Sequence, residues 1–412
     1  MSFKVLHLSK RDSGGAGIAA LRLHKAMLQC GKTSRFLCLD KSTSEKHVIQ
    51  YPKFYPRFYH RILDKMGFAI TQQQKNDKKL QQIKAWGQPE LYSFLRSDYH
   101  IHTHELFQWA DIIIIHWIAG FLDFKTFFKH IPKDKSVFWY AHDFSILLGG
   151  FHTLFDDQRF KETKYKALEI QLKKQKQTYV KSFQKLNLIG NSKFTYQTLL
   201  DAKVFNDKRI HCVPLGIPKN ELTKIDKSIA KQALGFNSDS FIVINSSTSI
   251  STPRKGADRL IPILENTSKQ VERLNVMTLG AHSPELETNQ INFHAMGSIW
   301  HPQFKSIIFS AADVVVSSAY EETFGQTIIE AYACGTPAIV FNNAALPELI
   351  NDEETGYIAK TNEEFSQKLI DMANGKKMTA EMGNKAYELF LKKYTSGTQV
   401  ERLWEVLEKT II

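Results

Sequence analysis

The sequence predicts an α/β protein of two domains, each built on a parallel sheet, and three observations carry that reading. The chain opens on an apolar strand, a glycine-rich turn, an amphipathic helix and a second strand. Two strands joined through a helix run parallel. The apolar runs Asp111 to His116 and Ser136 to Tyr140 are continuous rather than alternating, as suits strands covered on both faces. The α/β alternation then restarts after His211-Cys-Val-Pro-Leu-Gly-Ile-Pro218, where two prolines restrict the backbone. At 412 residues there is material for two domains of about 200 residues each.

In the first domain Lys4 to Ser9 reads as a strand, Lys10 to Gly17 as a loop and Ile18 to Cys30 as a helix. Ala20, Leu23, Met27 and Cys30 recur at the spacing of one helix face, and Gly31 caps it. Ser34 to Leu39 is the next strand. Residues 40–108 are less periodic and read as an insertion of helices and loops. Beyond the two central strands, a Lys/Gln-rich helix is expected over about 157–183. Leu186 to Gly190 is a strand, and Asn191-Ser-Lys-Phe-Thr195 looks like the N-cap of another helix.

In the second domain Ser240 to Asn245 is read as a strand, Gly256 to Asn266 as a helix and Leu274 to Leu279 as a strand. The apolar run Ala311 to Ser317 leads into an acidic loop. A helix follows from about Gly325 to Cys334, stopped by Gly335 and Pro337. Ala338 to Phe341 is the next strand. Helices are expected over 379–392 and about 397–409, the last with Val400, Leu403, Trp404 and Leu407 on one stripe. There is no internal repeat and no low-complexity tract.

Composition narrows the function classes. A hydrophobic content of 43% excludes wholesale disorder. No apolar run approaches the about 18 residues of a spanning helix; the most apolar window, Trp109 to Leu122, is interrupted by Asp111 and His116. Met1 to Ser9 reads as a strand, not a signal peptide. Cys30, Cys38, Cys212 and Cys334 form no Cys-x-x-Cys pair, so neither a zinc site nor a disulfide framework is expected, and the expected compartment is reducing. The net charge of +12 is concentrated in two segments. Residues 51–86 hold eight Lys or Arg against two Asp, interleaved with Phe54, Tyr55, Phe58, Tyr59 and Phe68. Basic residues among aromatics suit an anionic membrane surface or an acceptor. Residues 161–185 hold eight Lys against two Glu and read as a solvated helix face.

Four short stretches carry candidate chemistry. Ser13-Gly-Gly-Ala-Gly17 lies between strand and helix, where glycines make either a tight turn or a place for a phosphate or sugar to reach the backbone. It lacks the Lys-Ser/Thr of an NTPase phosphate loop. Pro253-Arg-Lys-Gly256 precedes a helix, so Arg254 and Lys255 are either a solvated turn or a pair of cations for a diphosphate. Trp139-Tyr-Ala-His-Asp-Phe144 ends a strand, and ligands gather outside the carboxyl ends of open α/β sheets. Here Asp143 can orient an acceptor or pair with His142. His116 and Trp117, ending the preceding strand, are second candidates for an acceptor substrate, where Trp117 either stacks on a sugar or belongs to the core. Lastly, Glu322 on the acidic loop and Glu330 within its helix bracket a helix start. Such acids can hold hydroxyls while helix amides face an anion.

The stretch Glu321-Glu-Thr-Phe-Gly-Gln-Thr-Ile-Ile-Glu-Ala-Tyr-Ala-Cys-Gly-Thr-Pro337 resembles the glutamate-x7-glutamate signature of retaining glycosyltransferases of the GT-B fold, family 4 (group 1). The match rests on Glu322, Phe324, Gly325 and Glu330 and on the Ala-Cys-Gly-Thr-Pro tail. The Gly-Gly loop, His142, the Pro-Leu-Gly-Ile boundary and Lys255 occur in the family's order. Leu6-His-Leu-Ser and Gly149-Gly150 are similar to the branch that makes capsule, exopolysaccharide or O-antigen. The resemblance implies two Rossmann-like domains facing a cleft: residues 1–217 for the acceptor, 218–392 for the nucleotide-sugar donor, and 393–412 as a helix crossing back to the first. It implies His142, Glu322 and Asp143 at the reacting sugar, with Gly14, Gly15, Arg254, Lys255, Phe324, Gly325 and Glu330 on the donor. The family's additional Arg would fall at Ser249, so Arg254 would have to replace it. No Asp-x-Asp triplet occurs in the chain, so no metal or other cofactor is expected. The expected partners are a nucleotide sugar, a glycan or lipid-linked acceptor and an anionic membrane surface, without nucleic acid. The expected location is the cytoplasm, peripheral to the membrane. Two rivals remain open at this point: a nucleotide-sugar epimerase of the same fold, and a non-enzymatic carbohydrate-binding protein.

Overall fold

The structure, a computed structural model, describes residues 3–53, 58, 62–63, 66, 71–205, 207–246, 252–280 and 291–411. The chain divides into two compact units, one of Met1–Pro214 with Val400–Ile412 and one of Leu215–Gln399.

The first unit carries β1 (Lys4–Arg11), β2 (Thr33–Asp40), β3 (Val48–Gln50), β4 (Ile112–Ile115), β5 (Ser136–Ala141), β6 (Leu186–Gly190) and β7 (Arg209–Cys212). They form a seven-stranded sheet in the order β3-β2-β1-β4-β5-β6-β7, with every neighbouring pair parallel. All four residues of β4 and all six of β5 are buried, which is why these runs are apolar without alternation. The strand order reverses between β1 and β4, so the loops leaving β1, β4 and β5 open at a topological switch point, where such sheets bind ligands. The helix Ser396–Ile411 places Trp404 against this unit: its ring lies tilted with its centroid 5.7 Å from that of Phe3, and the Lys32 ammonium lies 3.9 Å from its centroid.

The second unit carries β8 (Ile242–Ser246), β9 (Leu274–Leu279), β10 (Ile291–Gly297), β11 (Val314–Ser317), β12 (Ala338–Phe341) and β13 (Gly356–Ala359). Its six-stranded parallel sheet has the order β10-β9-β8-β11-β12-β13. The switch point lies between β8 and β11, where the turn after β8 meets the acidic loop. Both units are thus parallel α/β, Rossmann-like sheets, as the sequence predicts.

Several local readings are corrected. The first helix starts at Gly14, not Ile18, so the glycines form its first turn instead of a long loop. Gly17 packs there on β1: a Cβ would lie 2.6 Å from the Arg11 carbonyl oxygen. The helix expected over 157–183 is two helices, Leu154–Arg159 and Tyr165–Lys181. Phe160 between them is buried against the rings of Phe151 and Tyr165, a contact that breaks the helical path. β3 lies within the stretch read as helices and loops. β10 and β13 are edge strands absent from the sequence reading, because β10 mixes polar with apolar residues and β13, Gly-Tyr-Ile-Ala, is no continuous run of large apolar residues.

Candidate functional site

In the second unit the chemistry gathers around the helix Gln326–Ala333. Gly325 caps its start with φ 102°, a conformation that favours glycine, and a Cβ there would lie 2.8 Å from the Leu346 side chain. Phe324 beside it is buried. The preceding loop is tied to the turn Pro253–Lys255. Tyr320 N–H donates to the Arg254 carbonyl at 2.8 Å, and Ser318 Oγ donates to the Lys255 carbonyl at 3.0 Å. Gly256 (φ 70°) allows this approach, since a Cβ would sit 2.1 Å from the Ser318 carbonyl oxygen.

That seam brings Arg254, Lys255 and Glu322 together. Lys255 Nζ donates to Glu322 Oε1 at 2.5 Å, and Arg254 Nη1 lies 3.7 Å from the same oxygen. Arg254 also donates to the Glu321 carbonyl at 2.5 Å. Burial by itself raises the Glu322 pKa, but Lys255 and then Arg254 outweigh it and hold the carboxyl below its usual value. Glu330, one helical turn and more beyond the cap, is almost fully buried and is gripped by Lys305 Nζ at 3.2 and 3.1 Å to its two oxygens. Lys305, on the helix Pro302–Ala311, was not anticipated. In the sequence it is one lysine on an amphipathic helix, and only folding sets it against Glu330. Ser249 falls outside the described residues.

In the first unit Gly14 and Gly15 stand in the first turn of the helix after β1. The neighbouring loop is set by buried Asp12, whose carboxylate accepts from the N–H groups of Ser42 and Thr43 and from Ser42 Oγ. His116 and His142 follow β4 and β5 and meet: His116 Nδ1 and His142 Nε2 are 2.9 Å apart. His116 Nε2 in turn lies 2.9 Å from Nδ1 of His7 on β1. Burial pushes His142 down to about 4, against the opposing charge of Asp143. Trp117 is half-buried, with Lys10 and Arg11 over its ring at 5.6 and 5.2 Å.

Asp143 does not take His142 as its hydrogen-bond partner. Its carboxylate binds His152 Nδ1 at 2.6 Å and the Ser145 N–H at 3.0 Å, and His152 Nε2 meets Ser93 Oγ at 2.8 Å. Burial raises the Asp143 pKa, but the charge interaction and hydrogen bond with His152, then the bonds from Ser145, outweigh it and hold the carboxyl below its usual value. The loop beyond is clamped from the helix Tyr165–Lys181. Glu169 accepts from the N–H groups of Gly149 (2.8 Å) and Gly150 (2.6 Å). Lys176 Nζ donates to the carbonyls of Ser145, Leu148 and Gly149. Lys176 is buried, and burial lowers its pKa to about 7 against the pull of Glu169 and Asp143. This corrects part of one reading: Lys161, Lys164, Lys166, Lys174, Lys181 and Lys185 are exposed as a solvated face should be, but Lys176 points inward. Gly149-Gly150 was the only sequence signal of the clamp.

Residues 226–389 match the family model described as glycosyl transferases group 1. Among curated relatives, the D-inositol 3-phosphate glycosyltransferase of Mycobacteroides abscessus is 26% identical over 186 residues, 42% of this chain. The match spans 41% of that protein's length. Among solved structures, sucrose-phosphate synthase from Thermosynechococcus elongatus superposes with a TM-score of 0.66 at 15% identity, covering 98% of each chain. HepE from Anabaena, solved with UDP-glucose, also gives 0.66, at 16% identity, covering 99% of this chain and 100% of its own. At such identity the likeness shows the fold, which is GT-B.

Proposed function

We propose that the protein is a retaining glycosyltransferase. It moves a sugar from a nucleotide-sugar donor to a glycan or lipid-linked acceptor in bacterial surface polysaccharide synthesis. The observation that carries this reading is the joining of Arg254, Lys255 and Glu322 at the start of the helix holding Glu330, inside the segment that matches the group 1 glycosyltransferases. Glu330 takes the ribose hydroxyls of the donor. Lys255, Arg254 and the helix amides face the diphosphate, which leaves with charge they can hold. Phe324 and Gly325 shape that start, and Gly14 and Gly15 let the donor approach the first helix. Glu322 and His142 act on the transferred sugar. Asp143, tied to His152 and Ser145, sets the segment bearing His142, and His116 and Trp117 border the acceptor.

Because the sequence has no Asp-x-Asp and offers two cations instead, the reaction is proposed to run without a metal. The enzyme is placed in the cytoplasm, held to the anionic face of the membrane through residues 51–86. Of that segment, Phe58 (79% exposed) and Met66 (65%) present apolar surface to solvent. Among the described residues no helix is long and apolar enough to cross a membrane.

The test is a panel of nucleotide sugars, scored by thermal shift and then by sugar transfer. A donor at about 100 times its Kd adds about 2.7 kcal/mol to stability. Transfer that survives EDTA supports the metal-free form, and loss restored by Mg²⁺ or Mn²⁺ overturns it. A protein that no nucleotide sugar stabilises, and that consumes none, is not this enzyme. Conversion of the donor sugar without acceptor would point to an epimerase.

A further inference from the structure

The three histidines of the first unit form a continuous chain. His7 lies on β1, His116 follows β4 and His142 follows β5, three adjacent strands. His7 Nδ1 meets His116 Nε2 at 2.9 Å, and His116 Nδ1 meets His142 Nε2 at 2.9 Å. We propose that His116, backed by His7, is a positioning residue that holds His142 as the neutral tautomer with its proton on Nδ1, so that His142 serves as a hydrogen-bond donor and not as a base. The part about catalysis rests on the proposed glycosyl transfer; the part about the tautomer does not.

A hydrogen bond between two imidazole nitrogens contains one proton. A neutral ring carries one proton, and His116 spends both nitrogens in the chain. The chain therefore has only two polarities, all protons toward His7 or all toward His142. The buried end chooses between them. His7 is fully buried, and its Nε2 has no hydrogen-bond partner among the described residues. If the protons point inward, an N–H is stranded there; if they point outward, only a lone pair is. Orphaned buried N–H groups are the rarer case. So His7 donates to His116, His116 donates to His142, and the His142 proton sits on Nδ1.

The chain is a lock and not a relay. Reversing it needs a proton to enter or leave at His7 Nε2, which is buried; the rings of Phe36 and His24 lie 6.2 and 5.7 Å from the His7 ring. An added proton is also opposed: burial pushes His7 and His116 well below the ordinary histidine range. Beside His142 lie the stacked Tyr140 ring, the tilted His116 ring and Asp143, whose carboxylate is engaged by His152.

The test uses full-length protein with ¹⁵N-labelled histidine and long-range ¹H–¹⁵N correlation near neutral pH. His142→Gln assigns the signal. The expected wild-type spectrum shows His142 neutral and protonated on Nδ1. In His116→Phe, which keeps a ring but no nitrogen, the proton is expected to shift to Nε2, the form an unconstrained histidine side chain prefers. The kcat should fall about 10- to 100-fold with the donor KM unchanged, as for a group set slightly out of place. His116→Gln, with an amide that both accepts and donates, should recover most of each. A wild-type His142 that is charged, or protonated on Nε2, overturns the proposal, and this result needs no variant at His116 to fold. An unchanged tautomer in folded His116→Phe overturns it too. If wild type transfers no sugar while the Nδ1 tautomer is present, the glycosyl-transfer reading fails and the lock stands.

Discussion

In the free protein Lys255 is already engaged, and a donor diphosphate would have to win it from Glu322. Glu322→Gln tests that competition, since it removes the charge and keeps the shape. The pair spans 2.5 Å with side chains 18% and 22% exposed. Fully exposed pairs contribute about 0.2–1 kcal/mol, whereas breaking a fully buried pair costs about 3–5 kcal/mol. This pair lies between, and glutamine keeps one acceptor, so about 1–2 kcal/mol is at stake. Two opposite effects follow. The unliganded second unit should lose that stability, a fall in Tm of about 2–8 °C. UDP, used as the diphosphate probe, should bind about 5- to 30-fold more tightly, because Lys255 is released. Titration calorimetry with UDP on wild type and variant reads the second effect, and Lys255→Met should bind at least about tenfold more weakly than wild type. Turnover of Glu322→Gln should nonetheless fall, because the proposed contact to the reacting sugar loses its charge. Equal or weaker UDP binding by Glu322→Gln would refute the exchange of partners and leave the pair with a structural task only.

Glu330→Ala should weaken nucleotide binding and raise the donor KM, and unchanged affinity by calorimetry would remove Glu330 from the ribose. His142→Ala should cost about 100-fold or more in kcat with little change in KM; near wild-type turnover in a folded variant rules out a catalytic part. The buried histidines make the first unit acid-sensitive. Their folded pKa values lie below the ordinary 6.5, with His142 at about 4, so between those values the unfolded chain binds more protons. Their contribution is complete above 6.5 and is lost as pH falls toward 4. Tm measured from about pH 7 to about pH 5 should decline, and a flat profile contradicts the burial of these rings as neutral groups. Finally, binding to anionic vesicles should weaken with added salt and with Arg57, Arg61 and Lys65 changed to Glu, each cation being worth about 1 kcal/mol at the surface. These three positions lie outside the described residues. Equal binding to neutral and anionic vesicles at low salt would turn attention to an anionic glycan.

Much of the architecture could be read from local pattern. Continuous apolar runs identified β4 and β5, and the unit from Val314 to Phe341 was legible because Gly325 and Gly335 supply the positive φ at the helix ends and Pro337 restricts the backbone beyond them. Edge strands escaped: half-exposed β10 carries no strong period, and β13, opening on Gly356, lacks the unbroken run of large apolar residues that marked β4. At the candidate sites the sequence named Lys255, Glu322, Glu330, His116 and His142 from motif and strand-end position. It had no means of pairing them. Lys305 meets Glu330 across helices, Lys176 and Glu169 reach a loop about 20 to 30 residues away in the chain, and Asp143 chose His152 over its neighbour. The histidine chain shows the reason. His7, His116 and His142 are more than 100 and then 26 residues apart, with no periodicity linking them, and their contact exists only because β1, β4 and β5 lie side by side. Propensity and burial pattern are local properties, written in the order of residues; hydrogen-bond partners are decided by strand order, which only the folded chain possesses.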